Sequence, residues 1–180
     1  MRTTRILSAL FIILLLSSFA ADWMVLEKKD KGFKISFPRK PEESEQSLTT
    51  AIGPMMMHMW LCDQSKYKDD NGVYGIIYSD YPDTLVSSDF KDELIDSLFS
   101  NTISGSVSSM QGELLSTTVT PYKTYPGHQV KVKFADGQGI MNMKLYLIKS
   151  RMYIMEVGCE KDKDNNPYID KFFNSFSTIK

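Results

Sequence analysis

The stretch that most constrains the fold is residues 139–159, where two β-forming runs flank the short polar break Lys149-Ser150-Arg151. Two such runs divided by so short a break predict a β-hairpin. On a pleated strand, every second residue points to the same side. One side of the first strand is therefore apolar, formed by Met141, Met143, Leu145 and Leu147. We expect this hairpin near the centre of a sheet, with that apolar side packed against a helix.

Residues 1–20 have the pattern of a secretory signal peptide. Arg2 and Arg5 precede an uncharged run from Ile6 to Leu16, and Ser18 and Ala20 are small residues suited to a cleavage site. A membrane anchor is the alternative, but the apolar run falls well short of the roughly 20 residues that span a bilayer. We therefore predict cleavage near Ala20, export to the periplasm or the exterior, and a single mature domain over residues 21–180.

The charge of the predicted mature chain argues against nucleic-acid binding. Removing residues 1–20 leaves 19 basic and 22 acidic side chains, a net charge of −3. Proteins that bind nucleic acid present a basic surface to the phosphates. We expect no nucleic-acid partner, and no membrane span after signal cleavage.

Several further segments have β-strand patterns. Phe33, Ile35 and Phe37 alternate with polar residues, which predicts a strand with one buried side. A polar run at 44–50 and an apolar run at 55–62 predict a second hairpin, and Asn71-Gly72 predicts a turn that folds 73–80 back onto 55–62. The β-branched runs 113–120 and 129–134 predict two more strands.

Two segments have a helical period instead. From Ser88, apolar residues recur every three or four positions, which predicts an amphipathic helix that Gly105 would end. Asn166-Pro167 is typical of a helix start, and three phenylalanines follow on one side. The predicted fold class is α+β: a twisted antiparallel β-sheet with α-helices packed on its faces.

Four short segments give the chain a family resemblance: residues 32–38, 78–82, 125–127 and 173–176. They resemble the exported PsbP-like group, which includes the extrinsic PsbP protein of photosystem II and the Mog-type Ran-binding proteins. The resemblance implies an α/β/α sandwich and a non-enzymatic role. It provides no matching motif through which photosystem or Ran contacts could be assigned to residues of this sequence.

Cys62 and Cys159 are the two cysteines, and each lies at the end of a predicted strand. A disulfide persists in the oxidising compartment to which export leads. Two separate buried thiols, behaving as small apolar side chains, are the alternative. The sequence leaves both open.

Metal sites receive little support from the sequence. Met56 and His58 share one side of their predicted strand and carry ligand types that suit Cu(I), but methionine is also a common filler of apolar gaps. Residues 162–166 resemble the start of a calcium loop, yet Pro167 occupies the position that requires glycine and Phe173 that of the bidentate glutamate. We expect no metal and no cofactor.

Enzyme motifs are equally scarce. His58 and His128 are the only histidines, and neither lies in a nucleophile, zinc or phosphate-loop motif. We expect a non-catalytic protein. A hydrolase using His58 or His128 as its base is the alternative from another class, and a carrier of a small apolar ligand between the sheet and the first helix is the third hypothesis.

Tyrosines are the best candidates for a recognition surface, because their rings combine apolar area with a polar tip. If the segments around Tyr81, Tyr122 and Tyr125 converge at one end of the sheet, they would form such a surface. The leading hypothesis is an exported, non-catalytic binding or accessory module whose partner is another envelope or extracellular protein.

Overall fold

The computed structural model describes residues 23–50 and 53–179. The predicted signal peptide and its cleavage site lie outside these residues. Within the described residues, no helix combines the length and apolar character that a membrane-spanning helix requires.

Ten strands and two α-helices make up the described chain. In chain order they are β1 Met24–Lys28, β2 Phe33–Phe37, β3 Glu42–Thr50, β4 Gly53–Asp63, β5 Asn71–Asp80, α1 Asp92–Ser109, β6 Glu113–Val119, β7 Gly127–Phe134, β8 Gly139–Ile148, β9 Arg151–Glu160, α2 Pro167–Asn174 and β10 Ser177–Thr178. Seven strands form the main antiparallel sheet in the order β3-β4-β5-β9-β8-β7-β6, and β1-β2-β10 form a second sheet. The predicted α+β class is confirmed.

The predicted central hairpin is β8 and β9. Leu147 pairs with Met152, and β9 continues the main sheet by pairing with β5 on its other side. Lys149, in the turn, has a φ of 57°, which belongs to the left-handed region that tight hairpin turns require. The hairpin therefore lies at the centre of the sheet, as expected.

Two apolar cores fill the two faces of the main sheet. On one face, β2 and α2 pack over the sheet, with Phe33, Ile35 and Phe37 fully buried as their alternation predicts. On the other face, α1 packs through Ile95, Phe99 and Ile103 against the apolar side of β8. That side consists of Met141, Met143, Leu145 and Leu147, the residues expected to contact a helix. The layer order is second sheet and α2, main sheet, α1.

The first helix begins and ends later than predicted. It ends at Ser109 rather than near Gly105, because Val107 and Met110 extend the half-buried side that packs on the sheet. Gln111, with a φ of 50°, follows its end. Residues 87–89 form a turn before the helix, in which the Ser87 hydroxyl accepts a hydrogen bond from the amide of Asp89 at 3.2 Å, and the helix itself begins at Asp92.

The prediction of a turn at Asn71-Gly72 is wrong, although β4 and β5 do pair antiparallel. Asn71 is the first residue of β5, and the connection is the loop 64–70. The Asn71 side chain is 1 % exposed and forms hydrogen bonds inside the protein. The Asn71 side-chain amide thus connects separate parts of the fold, a role that the Asn-Gly turn pattern does not indicate.

The two cysteines are separate thiols and do not form a disulfide. Cys62 on β4 and Cys159 on β9 are both free and buried, and β5 runs between their strands. Two strand spacings amount to about 9.6 Å, beyond the roughly 7 Å that a disulfide allows between Cα atoms. Burial raises the pKa of both thiols, that of Cys159 to about 11. A bridge between them would require β5 to leave the sheet.

Candidate functional site

The three tyrosines predicted to form a recognition surface lie at one end of the main sheet. The amide of Tyr81, directly after β5, donates to the carbonyl of Ser150 in the β8–β9 turn at 2.8 Å. Tyr122 and Tyr125 form a tight turn before β7, in which the amide of each donates to the carbonyl of the other at 3.0 and 2.9 Å. Because neighbouring strands are antiparallel, the end of β5 and the start of β7 lie at the same end of the main sheet.

The side chains of these tyrosines diverge from that common end. The Tyr122 ring packs between Tyr146 and Phe176 on the α2 side, at centroid distances of 5.1 and 5.3 Å. Tyr81 packs against the core under α1. Tyr125 lines a small depression of about 290 Å³ beside the start of α1. The three rings do not form one continuous surface, so a binding role for Tyr81, Tyr122 and Tyr125 stays a prediction.

The two histidines lie on opposite faces of the main sheet. His58 stacks on Tyr78 at 4.6 Å, and its Nδ1 is 2.8 Å from the Oε1 of Glu45. His128 lies on the α1 face, where its ring contacts Phe99 at 4.5 Å and its Nδ1 is 3.3 Å from the Thr117 hydroxyl. Burial lowers the pKa of His128. Because they lie on opposite faces, the two imidazoles cannot act on one substrate. A hydrolase would have to use either His58 or His128 as its base, without the other.

The copper candidates share one side of β4, as predicted, but they differ in environment. Met56 is 44 % exposed, whereas the Nδ1 of His58 is engaged by Glu45. Among residues 23–50 and 53–179, no three His, Cys, Asp or Glu side chains come together as a set of metal ligands.

A larger cavity lies at the opposite end of the main sheet. We call it the end groove. It has a volume of about 970 Å³ and is formed by the loop 64–70, the β7–β8 turn, the last residues of β9, the first turns of α2 and Trp23. Its volume lies at the upper end of the range typical of ligand sites.

Behind one wall of the end groove, which Asp69 and Asn71 line, lies a network of buried and half-buried polar side chains. Asn71 and Asn166 exchange amide hydrogen bonds of 2.8 and 3.1 Å. The Asn71 amide also donates to the Tyr74 hydroxyl at 2.7 Å, and that hydroxyl donates to Asp69 at 3.0 Å. Burial raises the pKa of Tyr74, so its hydroxyl stays protonated as a donor. The network fixes the loop and the start of α2 relative to β5.

A second wall combines an arginine with an exposed tyrosine. The Arg39 guanidinium lies 3.6 Å from the centroid of the Tyr67 ring, and its Nε donates to Oε1 of Gln64 at 3.3 Å. Gln64 is 2 % exposed and is held in turn by a hydrogen bond from its Nε2 to the Cys62 sulfur at 3.0 Å. Buried contacts thus orient Arg39, and Arg39 orients a tyrosine that is 49 % exposed.

A third wall is aromatic and basic. Trp23 stacks on Tyr168 of α2 at 6.2 Å and packs edge-on against Tyr74 at 5.3 Å. The Lys171 ammonium lies 4.5 Å from the centre of the Trp23 ring. Tyr168 is 40 % exposed. The groove therefore presents aromatic rings whose positions are fixed by packing, together with positively and negatively charged side chains.

The architecture has a counterpart among solved structures. Cyanobacterial PsbP (CyanoP) from Synechocystis sp. PCC 6803, solved in solution, matches with a TM-score of 0.56 at 12 % identity, over 88 % of this chain and 93 % of that chain. The fold is PsbP-like. PA94, a protein of unknown function from Pseudomonas aeruginosa, matches with a TM-score of 0.40 at 5 % identity, over 78 % of this chain and 85 % of that one, too low to define a shared fold.

The sequence comparisons leave the function open. No protein-family model matches the chain, and no curated protein matches it. At 12 % identity, the likeness to CyanoP concerns the backbone architecture alone.

The end groove is not predictable from the sequence, because its parts come from distant segments of the chain. Residues 66–70 have only the polar composition of a loop, and no motif places Trp23 beside them. The one available signal was Asn166: it is typical of a helix cap, and its side chain does accept a hydrogen bond from the Tyr168 amide at 3.0 Å. Nothing in the sequence shows that the same amide also pairs with Asn71.

Proposed function

We propose that this protein is an exported, non-catalytic binding module that uses the end groove to contact another envelope or extracellular protein. The predicted signal peptide supports export. The observation that carries the proposal is the pair of exposed rings, Tyr67 and Tyr168, which are held in place by Arg39 and Trp23. Rings fixed before binding lose little side-chain entropy when a partner contacts them, which favours affinity.

The composition of the groove favours a polypeptide over a small apolar molecule. Small-molecule pockets are mostly apolar and enclose their ligand. Here the rim carries charges of both signs, including Arg39, Lys171, Asp70 and Glu160. Protein interfaces combine aromatic anchors with such a polar rim. The carrier hypothesis placed a ligand between the sheet and α1, where buried side chains of α1 and β8 pack in one apolar cluster.

Affinity isolation with matched variants tests this function. The mature protein, residues 21–180, is used to recover partners from the native envelope fraction, with recovered proteins quantified by mass spectrometry. We expect a discrete partner that the Tyr67→Ser/Tyr168→Ser double variant loses at least tenfold. Leu94→Ser is the control, because Leu94 is 59 % exposed on α1, away from the groove.

Two results would count against the proposal. One is recovery of the same partner, in the same amount, by wild type and by the double variant. The other is loss of the partner by Leu94→Ser as well. Either would place the contact elsewhere on the molecule.

A further inference from the structure

The α1 face of the main sheet is covered unequally. A helix is about 10 Å wide, and strands lie about 4.8 Å apart, so one helix covers two or three of the seven strands. The buried residues of α1 pack on β7, β8 and Met152 of β9. Beyond β9, the strands β5, β4 and β3 continue the same face without a second helix among the described residues.

Apolar side chains nevertheless occupy this uncovered part. Met57, Met59 and Leu61 of β4 and Ile77 of β5 are each partly exposed, and none belongs to either core cluster. Met59 pairs with Ile77 and Leu61 pairs with Gly75, which places them side by side on one face. We call these four residues the methionine face. A solvated sheet face would instead carry polar residues at these positions.

A carboxyl group without a partner lies beside the methionine face. Glu156 of β9 pairs with Gly75 and points to this side of the sheet. A Cβ atom at Gly75 would lie 2.7 Å from the Leu61 Cδ2 and 2.9 Å from the Glu156 Oε1, so these two side chains meet over the glycine. Burial alone raises the pKa of this carboxyl. No described side chain forms an ion pair with it, and α1 contains no Lys or Arg.

We propose that the methionine face docks an amphipathic helix of another protein whose apolar side carries a lysine or arginine. A helix laid beside α1 would pack at the usual 8–10 Å separation and cover β4 and β5. Methionine side chains adapt to the shape of a helical partner. A cation above Gly75 would pair with Glu156 and also approach Glu42, which pairs with Leu61 on the neighbouring strand.

The charges distinguish this occupant from a second copy of the chain. Two copies docked face to face through this surface would bring their Glu42 and Glu156 carboxylates together, and like charges across an interface oppose association. A helix that carries a lysine or arginine would instead place a positive charge beside the same two carboxylates. This surface is separate from the end groove, so the two proposals can fail independently.

Binding of a defined probe tests the charge requirement. The probe is a 14-residue helical peptide whose apolar side consists of leucines and one central lysine and whose other side is glutamine, compared with versions in which that lysine is replaced by glutamine or by glutamate. By fluorescence anisotropy with residues 21–180, we expect the lysine peptide to bind at least tenfold more tightly than the glutamine peptide, and the glutamate peptide to bind most weakly. Glu156→Gln should weaken the lysine peptide at least fivefold. Asp96→Asn, which removes an exposed charge from α1, should leave its Kd within twofold.

Methionine oxidation locates the bound peptide. With hydrogen peroxide and mass spectrometry, the lysine peptide should slow oxidation of Met57 and Met59 at least threefold. Met56 is the internal control, because it is 44 % exposed and points to the opposite side of β4. Equal protection of Met56 and Met59, or equal effects of Glu156→Gln and Asp96→Asn, would overturn the proposal, since both would indicate non-specific attraction of a basic peptide.

Discussion

Replacing Asn166 tests the network that shapes the end groove. Asn166→Ala removes the cap of α2, which costs about 1 kcal/mol. It also removes the donor to Oδ1 of Asn71, a side chain that is 1 % exposed, and an acceptor left unsatisfied inside a protein costs about 1–3 kcal/mol. We therefore expect the free energy of unfolding to fall by about 2–4 kcal/mol. For a domain of this size, that corresponds to a fall in Tm of roughly 4–16 °C.

A second variant separates the two contributions. Asn166→Ser keeps an oxygen that can accept from the Tyr168 amide, but its side chain is too short to reach Asn71. Urea unfolding of residues 21–180 should give the stability order wild type, Ser variant, Ala variant. Asn101→Ala is the control, because Asn101 is exposed on α1, and its effect should stay within about 0.5 kcal/mol.

A loss of stability below about 1 kcal/mol for Asn166→Ala would refute this prediction. Equal stability of the Ser and Ala variants would separately show that the cap contributes nothing. A loss that small for Asn166→Ala would mean that the two hydrogen bonds between the side chains of Asn71 and Asn166 do not hold the groove together in solution.

Three further predictions concern stability and thiols. Unfolded protein without reductant should react with two equivalents of a thiol reagent and folded protein with almost none, because Cys62 and Cys159 are free and buried; no reaction after unfolding would indicate a bridge. Gly105→Ala should raise the free energy of unfolding by about 0.5–1 kcal/mol, since glycine disfavours a helix interior and nothing lies within 4 Å of the added Cβ. Gly127→Ala should lower the free energy of unfolding, because its Cβ would lie 2.6 Å from the carbonyl oxygen of Thr120. A change of the same sign for both variants would contradict this prediction. His128 has a lowered pKa in the folded state, so the unfolded state binds the proton more readily and stability should fall as pH drops below about 6.5; His128→Gln should weaken that pH dependence in urea unfolding, and an unchanged slope would refute it.

The parts of the fold that follow a period of two or 3.6 residues were predictable from the sequence. The alternation of Met141 to Leu147 predicts both the strand and its helix-facing side, and the structure confirms both. The alternation at Phe33, Ile35 and Phe37 likewise predicts burial on one side. Such patterns record whether a side chain faces the core, which is a local property of the chain.

Properties that depend on which segments meet were not predictable in this way. Strand β10 has two residues, Ser177–Thr178, too few to show any alternation, so its pairing with β2 left no signal in the sequence. The free cysteines depend on strand order, because β5 separates their strands. Asn71 likewise has the sequence of a turn but the environment of a core residue. In each case, tertiary contacts decide the outcome and local propensity does not.

The same limit applies to the candidate site. Tyr81, Tyr122 and Tyr125 do come to one end of the sheet, as their positions at strand ends suggest, but the direction of each ring depends on its packing. The end groove contains none of the three. Its exposed rings, Tyr67 and Tyr168, come from a charged loop and from the start of α2, and only the folded chain shows them in one cavity.

Site-specific photocrosslinking in the native envelope tests the central claim most directly. A photoreactive phenylalanine analogue replaces Tyr168 in the end groove, or Leu94 on the exposed side of α1 as the matched control. We expect a discrete crosslinked product with one envelope or extracellular protein from position 168, and none from position 94. No product from position 168 in exported, folded protein, or the same product from both positions, would contradict a binding function for the end groove.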